Sequence, residues 1–366
     1  MKIGILTYHR AENYGALLQA YAMKTYLQSQ GHEVSFVDYW PKYHSDYFRL
    51  FPWQQLSKRS GYKKILFLIQ LVLWLIPRYL RKRKFQNFMY NQLNLSKVPQ
   101  YTNSDNKTDR YDVVLYGSDQ IWRKQNLGGV SFDDWYFGND CVFADRKIVY
   151  AGSMGTVDTT AKDDEYIQKM MQNFNALSVR EIDLQSYLGS LAISAILVPD
   201  PVFLLSRNQW KSLIKKKVSK KYYILFYNLL NSRESIIFAE KLSREKNLQI
   251  REVNKKMVSS HLMHRRYIST ASVEQFLQLI EGAEYVVSNS FHGVAMSVIF
   301  EKQFYAVGMG TKANRVLSLL ESAGIKDRYI ASLQDSTASS KIDYNKVHDS
   351  LKEVIGRGAD FLQKAL

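Results

Sequence analysis

Cysteine occurs once in this sequence, at Cys141. No disulfide can close within the chain, no cysteine-rich zinc site can be assembled, and the usage fits a reducing compartment. Proline is also scarce, with 6 in 366 residues, while hydrophobic residues make up 46%. That balance excludes a Pro-rich or disordered chain and leaves a folded globular protein of two average-sized domains. The opening MKIGILTYHR has neither the long apolar segment nor the small-residue cleavage site of a signal peptide, and it reads as a β-strand. A cytoplasmic location is therefore expected.

Acidic residues are missing from one long stretch. Between Tyr47 and Ser104 there is no Asp or Glu, yet 11 Lys and Arg occur there, most of the net charge of +16. The same stretch holds ILFLIQLVLWLI, Ile65 to Ile76, between KK and RYLRKRK. This run is shorter than the roughly 20 residues that a bilayer-crossing helix needs. It suits an interfacial helix whose basic flanks rest on anionic headgroups. A buried helix followed by a solvated basic turn is the plainer reading. Nucleic acid is a third, but no nucleic-acid motif accompanies the charge, and no such partner is expected. The expectation is peripheral attachment to an anionic membrane surface, the inner face of the plasma membrane, through Tyr62 to Lys84.

The remaining chain alternates strands and helices. KIGILTY reads as a strand, ALLQAYAMKTYLQSQG as a helix stopped by Gly31, and EVSFVDYW as the next strand. YDVVLYG, KIVYAGS, ALSVRE and AILVP continue the pattern until VPDPVFLL, Val198 to Leu205, interrupts it with two prolines. A second series follows in YYILFYN, QIREVN, EYVVSNS and QFYAVGM, with helices between them. The prediction is an N-terminal α/β domain over 1–200 with a basic apolar insertion at about 47–104, a C-terminal α/β domain over 201–342, and a closing helix over 343–366. Both domains should be Rossmann-like, with parallel sheets covered on both faces and a central cleft at the strands' carboxyl ends.

Several chemistries lack their signatures. There is no G-x-x-x-x-G-K-[ST], no G-x-G-x-x-G and no H-E-x-x-H. His261 and His264 are three apart but have no carboxylate at ligand spacing, so no metal site is expected. What recurs is polar residues at strand ends: His9, Arg10, Asn13, Tyr14 and Gly15; GSDQIW at 117–122; Arg180 and Glu181; Asp200 between prolines; Ser290 and His292; and GTKANR at 310–315. In SNSFHG, Ser288 to Gly293, a strand gives way to a helix whose N-terminal N–H groups suit an anion. The competing reading is that a serine or asparagine caps this helix and His292 only decorates its first turn.

AENYGALLQAYAM, YGSDQIW, SVRE, DPVFLL and SNSFHGVAMS follow one another in this order. Together they resemble the polysaccharide pyruvyl transferase family. The resemblance implies an architecture similar to the two-domain glycosyltransferase B fold. It also implies transfer of a pyruvyl group from phosphoenolpyruvate to sugar hydroxyls, giving a pyruvate ketal on a cell-surface glycan precursor, with no cofactor besides the donor. Arg180 matches the family's arginine and His292 its histidine before glycine. One position departs: where some members carry a basic residue two places before that histidine, this sequence has Ser290.

The implied reaction assigns further roles. Phosphoenolpyruvate presents a carboxylate and a phosphate, so a guanidinium fork at Arg180 and the helix N-terminus at Ser290, His292 and Gly293 are expected to face it, with Lys312 and Arg315 supplying cations. Protonating the methylene carbon calls for an acid near neutral pH, and His292 is that candidate. Asp119, or Glu181, is the candidate base for the acceptor, although an aspartate in GSD equally suits a helix cap. Asn13, Tyr14, Gln120, Trp122 and Glu181 offer the amides, hydroxyl and aromatic faces that a glycan or lipid-linked sugar acceptor needs; Trp122 also reads as core. Two other readings compete: a glycosyltransferase using a nucleotide-sugar donor, and a non-catalytic glycan-binding scaffold at the membrane.

Overall fold

The computed structural model describes residues 1–48, 50–51, 56–57, 59–102, 107–125, 132–215, 222–254, 265–310, 313–333 and 340–366. Six strands, β1 (Lys2–Leu6), β2 (Glu33–Phe36), β3 (Tyr111–Tyr116), β4 (Ala144–Gly152), β5 (Ala176–Val179) and β6 (Ile196–Leu197), form one sheet in the order β2-β1-β3-β4-β5-β6. Six more, β7 (Tyr223–Tyr227), β8 (Gln249–Val253), β9 (Arg265–Ile268), β10 (Tyr285–Ser288), β11 (Gln303–Val307) and β12 (Tyr329–Ile330), form a second in the order β12-β11-β10-β7-β8-β9. Every pairing is parallel. Strands buried on both faces need continuous apolar runs, and β7, YILFY, is buried at all five positions. Two strands fall outside the sequence expectation. β9 begins with two arginines and β12 has only two residues, so neither carries a readable apolar pattern.

Both sheets reverse their strand order at one place. The first does so between β1 and β3, the second between β7 and β10. Loops diverge at such points and leave a crevice at the carboxyl ends of the strands. SNSFHG follows β10, GSDQIW follows β3, and Asn13 follows the β1 loop, so these three segments reach the crevice by topology alone.

Helix α1 (Tyr14–Ser29) joins the two halves. Eleven of its side chains are buried, as a helix lying in the middle of a fold requires. Asn13 Oδ1 caps it by accepting from Gly15 N at 2.9 Å, and Gly31, at φ +83°, stops it in the left-handed conformation. Tyr14 stacks on Phe276 of the second half with ring centroids 4.4 Å apart, and its hydroxyl donates to Ala271 O at 2.8 Å. One hydrophobic core runs through both halves. The helices that follow are α2 (Lys42–Tyr47), α3 (Gly61–Asn91), α4 (Ala161–Met171), α5 (Ile182–Ser190), α6 (Arg207–Ser212), α7 (Arg233–Lys246), α8 (Val273–Gly282), α9 (Phe291–Ile299), α10 (Asn314–Ser322) and α11 (Tyr344–Ala365). The closing helix α11 touches both halves: Tyr344 OH donates to Lys302 O at 2.5 Å, while Phe361 packs near Tyr150, with centroids 6.2 Å apart.

His9 and Arg10 act structurally. Arg10 Nε and Nη2 each donate to Asp38 at 2.5 Å, Arg10 also reaches Ser96 O at 2.9 Å, and His9 Nε2 lies 3.2 Å from Asp38 Oδ1. Burial alone would raise the Asp38 carboxyl, but Arg10 and His9 outweigh it and hold the group well below the usual carboxylate range. A depressed carboxyl stabilises the fold above its unfolded pKa, and that stability is lost as pH falls toward its folded value. Urea unfolding measured from about pH 5 downward should therefore show stability falling less steeply in Asp38→Asn than in wild type; equal slopes would overturn this assignment.

Candidate active site

Arg180 ends β5 and is buried, its side chain only 2% exposed. A desolvated guanidinium needs partners, and three carboxylates surround it. Nη1 donates to Asp200 Oδ2 at 2.5 Å and to Ser118 Oγ at 3.0 Å. Nε donates to Glu181 Oε1 at 3.3 Å, and Nη2 stands 3.9 Å from Asp119 Oδ1. Burial lowers its pKa, but Asp200, Glu181 and Asp119 together raise it above the ordinary arginine value.

Asp200 connects this arginine to the second half. Its Oδ1 accepts from Val202 N at 3.2 Å, capping a short turn that Pro201 begins. Its Oδ2 accepts from Arg180 and from Ser118 Oγ at 3.1 Å, and lies 3.5 Å from His292 Nε2. Burial opposes ionisation there, yet His292 and Arg180 keep the carboxyl well below the usual range. His292 occupies the first turn of α9, where the N–H groups of Phe291, His292 and Gly293 precede the first intrahelical bond, Val294 N to Ser290 O. From the other side its ring meets α1. A Cβ on Gly15 would come within 2.1 Å of His292 Nδ1, so only glycine leaves room for the imidazole.

Arg315 of α10 is the second cation. Its Nε lies 3.7 Å from Glu181 Oε1, and its Cζ stands 5.6 Å from the Phe291 ring, which Arg180 Cζ approaches at 5.7 Å. Burial and the neighbouring Arg180 lower its pKa. Burial also raises the Glu181 carboxyl, against the pull of Arg180 and Arg315. Ser153 Oγ donates to Glu181 Oε1 at 2.5 Å.

Three buried polar atoms in this one cluster, Arg180 Nη2, Glu181 Oε2 and His292 Nε2, make no hydrogen bond. The 3.5 Å approach of His292 Nε2 to Asp200 is a charge contact only. Native interiors rarely leave such groups unsatisfied, so these three atoms are open to a polar partner. Among the described residues, no group of three or more His, Cys, Asp or Glu side chains is arranged to hold a metal.

The structure sorts the other expected site residues. Arg180, Asp119, Glu181, His292 and Arg315 come together, Ser290 stands at the start of the helix that carries His292, and Lys312, His261 and His264 lie outside the described residues. The free guanidinium fork expected at Arg180 is absent, because Nη1 and Nε are already engaged and only Nη2 is left. Ser290 sits at the N-cap of α9 without a side-chain cap bond, so the simple capping role does not hold. Gly293 is required by packing: a Cβ there would lie 2.2 Å from Ser288 Oγ. Trp122 belongs to the core, fully buried, with Nε1 donating to Tyr136 O at 2.9 Å. Tyr14 is likewise withdrawn into the junction between the halves, its hydroxyl taken by Ala271. Asn13 lines a narrow crevice at that junction with Arg81, Tyr227 and Asn254. Gln120 is half-buried beside Gly155, and Asp119 Oδ1 accepts from Gln120 N at 2.7 Å.

Sequence reasoning noted Asp200, Gly15 and, within GSDQIW, Ser118 without giving them roles; it offered Asn289 only as a possible helix cap and gave Ser153 no role. An aspartate ahead of a proline is a signal for a turn cap, and that local use hid its second oxygen. Asn289 holds the corner from which α9 starts: Oδ1 accepts from Leu229 N at 2.7 Å and Leu230 N at 3.1 Å, and Nδ2 donates to Asn228 Oδ1 at 2.9 Å.

Removing the guanidinium strands Asp200 and Glu181 as buried charges. Arg180→Ala should therefore cost about 3–5 kcal/mol of stability, beyond any loss of ligand binding. Urea denaturation checks this, and an unchanged midpoint would show that the carboxylates are satisfied by other groups.

Comparison with known proteins places this site in context. No curated protein matches the chain in sequence. A UDP-GlcNAc 2-epimerase from Methanocaldococcus jannaschii, solved with UDP-GlcNAc and UDP, is similar at TM-score 0.46 and 10% identity over 97% of this chain and 93% of that one. The UDP-GlcNAc 2-epimerase from Neisseria meningitidis bound to UDP-GlcNAc gives 0.45 and 9% over 100% and 94%. E. coli heptosyltransferase WaaC with ADP-2-deoxy-2-fluoro heptose gives 0.40 and 10% over 96% and 99%. Likeness of this degree carries no conclusion about the chemistry of this chain. The family model for polysaccharide pyruvyl transferase, in contrast, matches residues 13–310, which include Gly15, Asp119, Arg180, Asp200 and His292. The chain belongs to the polysaccharide pyruvyl transferase family.

Proposed function

We propose that this protein transfers the pyruvyl group of phosphoenolpyruvate to two hydroxyls of a sugar, forming a ketal on a glycan precursor and releasing inorganic phosphate. The observation that supports this most is the buried cluster in which Asp200 links His292, in the first turn of α9, to Arg180, with unsatisfied polar atoms on His292, Arg180 and Glu181. It brings an acid, a cation and a helix N-terminus together. His292 donates a proton to the methylene carbon of the donor, which becomes the methyl group. The adjacent carbon becomes electron-poor, and a sugar oxygen bonds to it as a carboxylate takes the hydroxyl proton. Phosphate then leaves with the electrons of its C–O bond, and the second hydroxyl closes the ketal, its proton returning to His292. Asp119, with a side chain 18% exposed, is more open to the acceptor than Glu181 at 3%, so Asp119 is the proposed base.

Charge sets a condition on donor binding. The described cluster opposes two guanidiniums, Arg180 and Arg315, to three carboxylates, Asp119, Glu181 and Asp200. An anionic donor therefore depends on the proton of His292, on the N–H groups of α9 and on the raised carboxyl of Glu181, which is the carboxylate most readily neutralised. Arg315, held at 3.7 Å by a single carboxylate, is the guanidinium free to turn toward the donor.

A nucleotide-sugar glycosyltransferase is the second reading. A cavity of about 530 Å³ opens at the carboxyl edge of the second sheet, lined by Ser232, Glu234, Gly308, Met309 and Tyr329, and its size suits a nucleotide. Phosphate release from phosphoenolpyruvate with a mass gain on the acceptor supports the first reading; nucleotide release without use of phosphoenolpyruvate supports the second.

His292→Ala should lower turnover by about 10²–10⁴-fold with the fold intact, measured as phosphate release from phosphoenolpyruvate and a sugar acceptor. Wild-type turnover in that variant would remove His292 as the acid. Gly15→Ala, which pushes a methyl group into the imidazole, should lower turnover while leaving every charged group in place.

A further inference from the structure

We propose that the first two-thirds of α3 lies flat on an anionic lipid surface. α3 is 31 residues long, roughly 45 Å. Its last third docks on the body of the protein, where Arg81, Phe85, Phe88 and Met89 are buried and Arg81 Nη1 donates to Ser269 O at 3.1 Å. The preceding turns are different. Seventeen large hydrophobic side chains are exposed among the described residues, and ten of them fall between Tyr62 and Leu80, including Ile65, Ile69, Val72 and Ile76. At about 100° per residue these ten cover roughly half the circumference of the helix, opposite the side that carries Leu71, Phe85, Phe88 and Met89. α3 thus has two apolar faces, and among the described residues only one is covered by this chain. An uncovered patch of this extent marks an interaction surface.

Charge selects the occupant. No acidic residue occurs from Tyr47 to Ser104. Lys63 and Lys64 stand exposed at the start of the helix, and Arg83 stands exposed at its other end, so cations bracket the apolar face along its length. A second copy packed antiparallel on this face would set Lys63 and Lys64 of one chain against Arg83 of the other, with no acid within the stretch from Tyr47 to Ser104 to offset them. Parallel packing would align the same cations. An anionic bilayer satisfies both features, with headgroups at the cations and acyl chains at the apolar arc. Among the described residues no helix is long and apolar enough to cross a membrane, so the geometry is of lying on the surface. This surface stands independently of the reaction, because none of its residues belongs to the His292 cluster.

Flotation of the full chain with phosphatidylcholine vesicles, with and without phosphatidylglycerol, tests the assignment. Binding is expected only with phosphatidylglycerol present, should weaken as salt rises, and should fall by more than about tenfold in Ile69→Glu/Ile76→Glu. Lys63→Glu/Lys64→Glu, which leaves the apolar arc intact, should lose the preference for phosphatidylglycerol. Failure of the wild type to float with anionic vesicles overturns the proposal, as does wild-type binding by the isoleucine variant. A stable dimer in sedimentation that the isoleucine variant dissociates would also overturn it and assign the face to a second copy.

Discussion

A guanidinium with almost no access to water imposes an obligation on everything around it. Arg180 would be too costly to bury alone, and the chain brings carboxylates to it from three places: the loop after β3, the residue following Arg180 itself, and the turn before Pro201, with the Ser118 hydroxyl as a further partner. Once Asp200 is fixed by that arginine and by Val202 N, its second oxygen has a set position, and the His292 imidazole is placed against it. The orientation of the His292 ring therefore follows from an ion pair formed within the first half of the molecule.

The same ring is held from the opposite side by steric fit. Gly15 lies in the first turn of α1, one residue after Tyr14, whose ring stacks on Phe276 and whose hydroxyl reaches Ala271. A movement of the two halves large enough to release His292 would have to unstack this pair and break the core that runs through both. The site is built on helix starts and strand ends, not on long loops, so its geometry is as firm as the packing beneath it. Asn289 has the matching role on the second half, spending its whole amide on the backbone and side chains of the β7 loop.

Architecture was legible in the sequence because strands buried on both faces advertise themselves as apolar runs: YILFY in β7, VVLY in β3 and YVV in β10. Edge strands such as β9 lack that signature. For the site, sequence order showed which segments reach the crevice, since the residues after β1, β3, β5 and β10 must lie at one edge of their sheets. It could not show which way each side chain turns. Trp122 and Tyr14 carry the polar atoms that sugars use, but a buried partner claims each: Tyr136 O for the indole, Ala271 O for the phenol. Arg180 illustrates the same limit in charge. The residue was identifiable, yet the number of its donors already engaged depends on Asp200, twenty positions further along, and on Ser118, which no local pattern distinguishes from a turn residue.

The chain uses positive charge in two opposite ways, and the contrast carries physical information. Outside the stretch from Tyr47 to Ser104, 39 basic residues face 34 acidic ones, a net of +5, and the buried arginines there are matched closely by carboxylates. Within it, eleven basic residues face none. A buried cation needs partners, carboxylates at Arg180 and a carbonyl with aromatic rings at Arg81; a cluster with no acid in its own stretch, beside exposed isoleucine and leucine, suits solvent or a negative surface. The two regimes meet at Arg81, on the buried face of α3, with its guanidinium 5.4 Å from the Tyr14 ring. Whatever seats the outer part of α3 is thereby coupled through one cation–π contact and the Ser269 carbonyl to the residue next to Gly15, so the orientation of the crevice relative to that surface is fixed by the fold and not by a flexible tether.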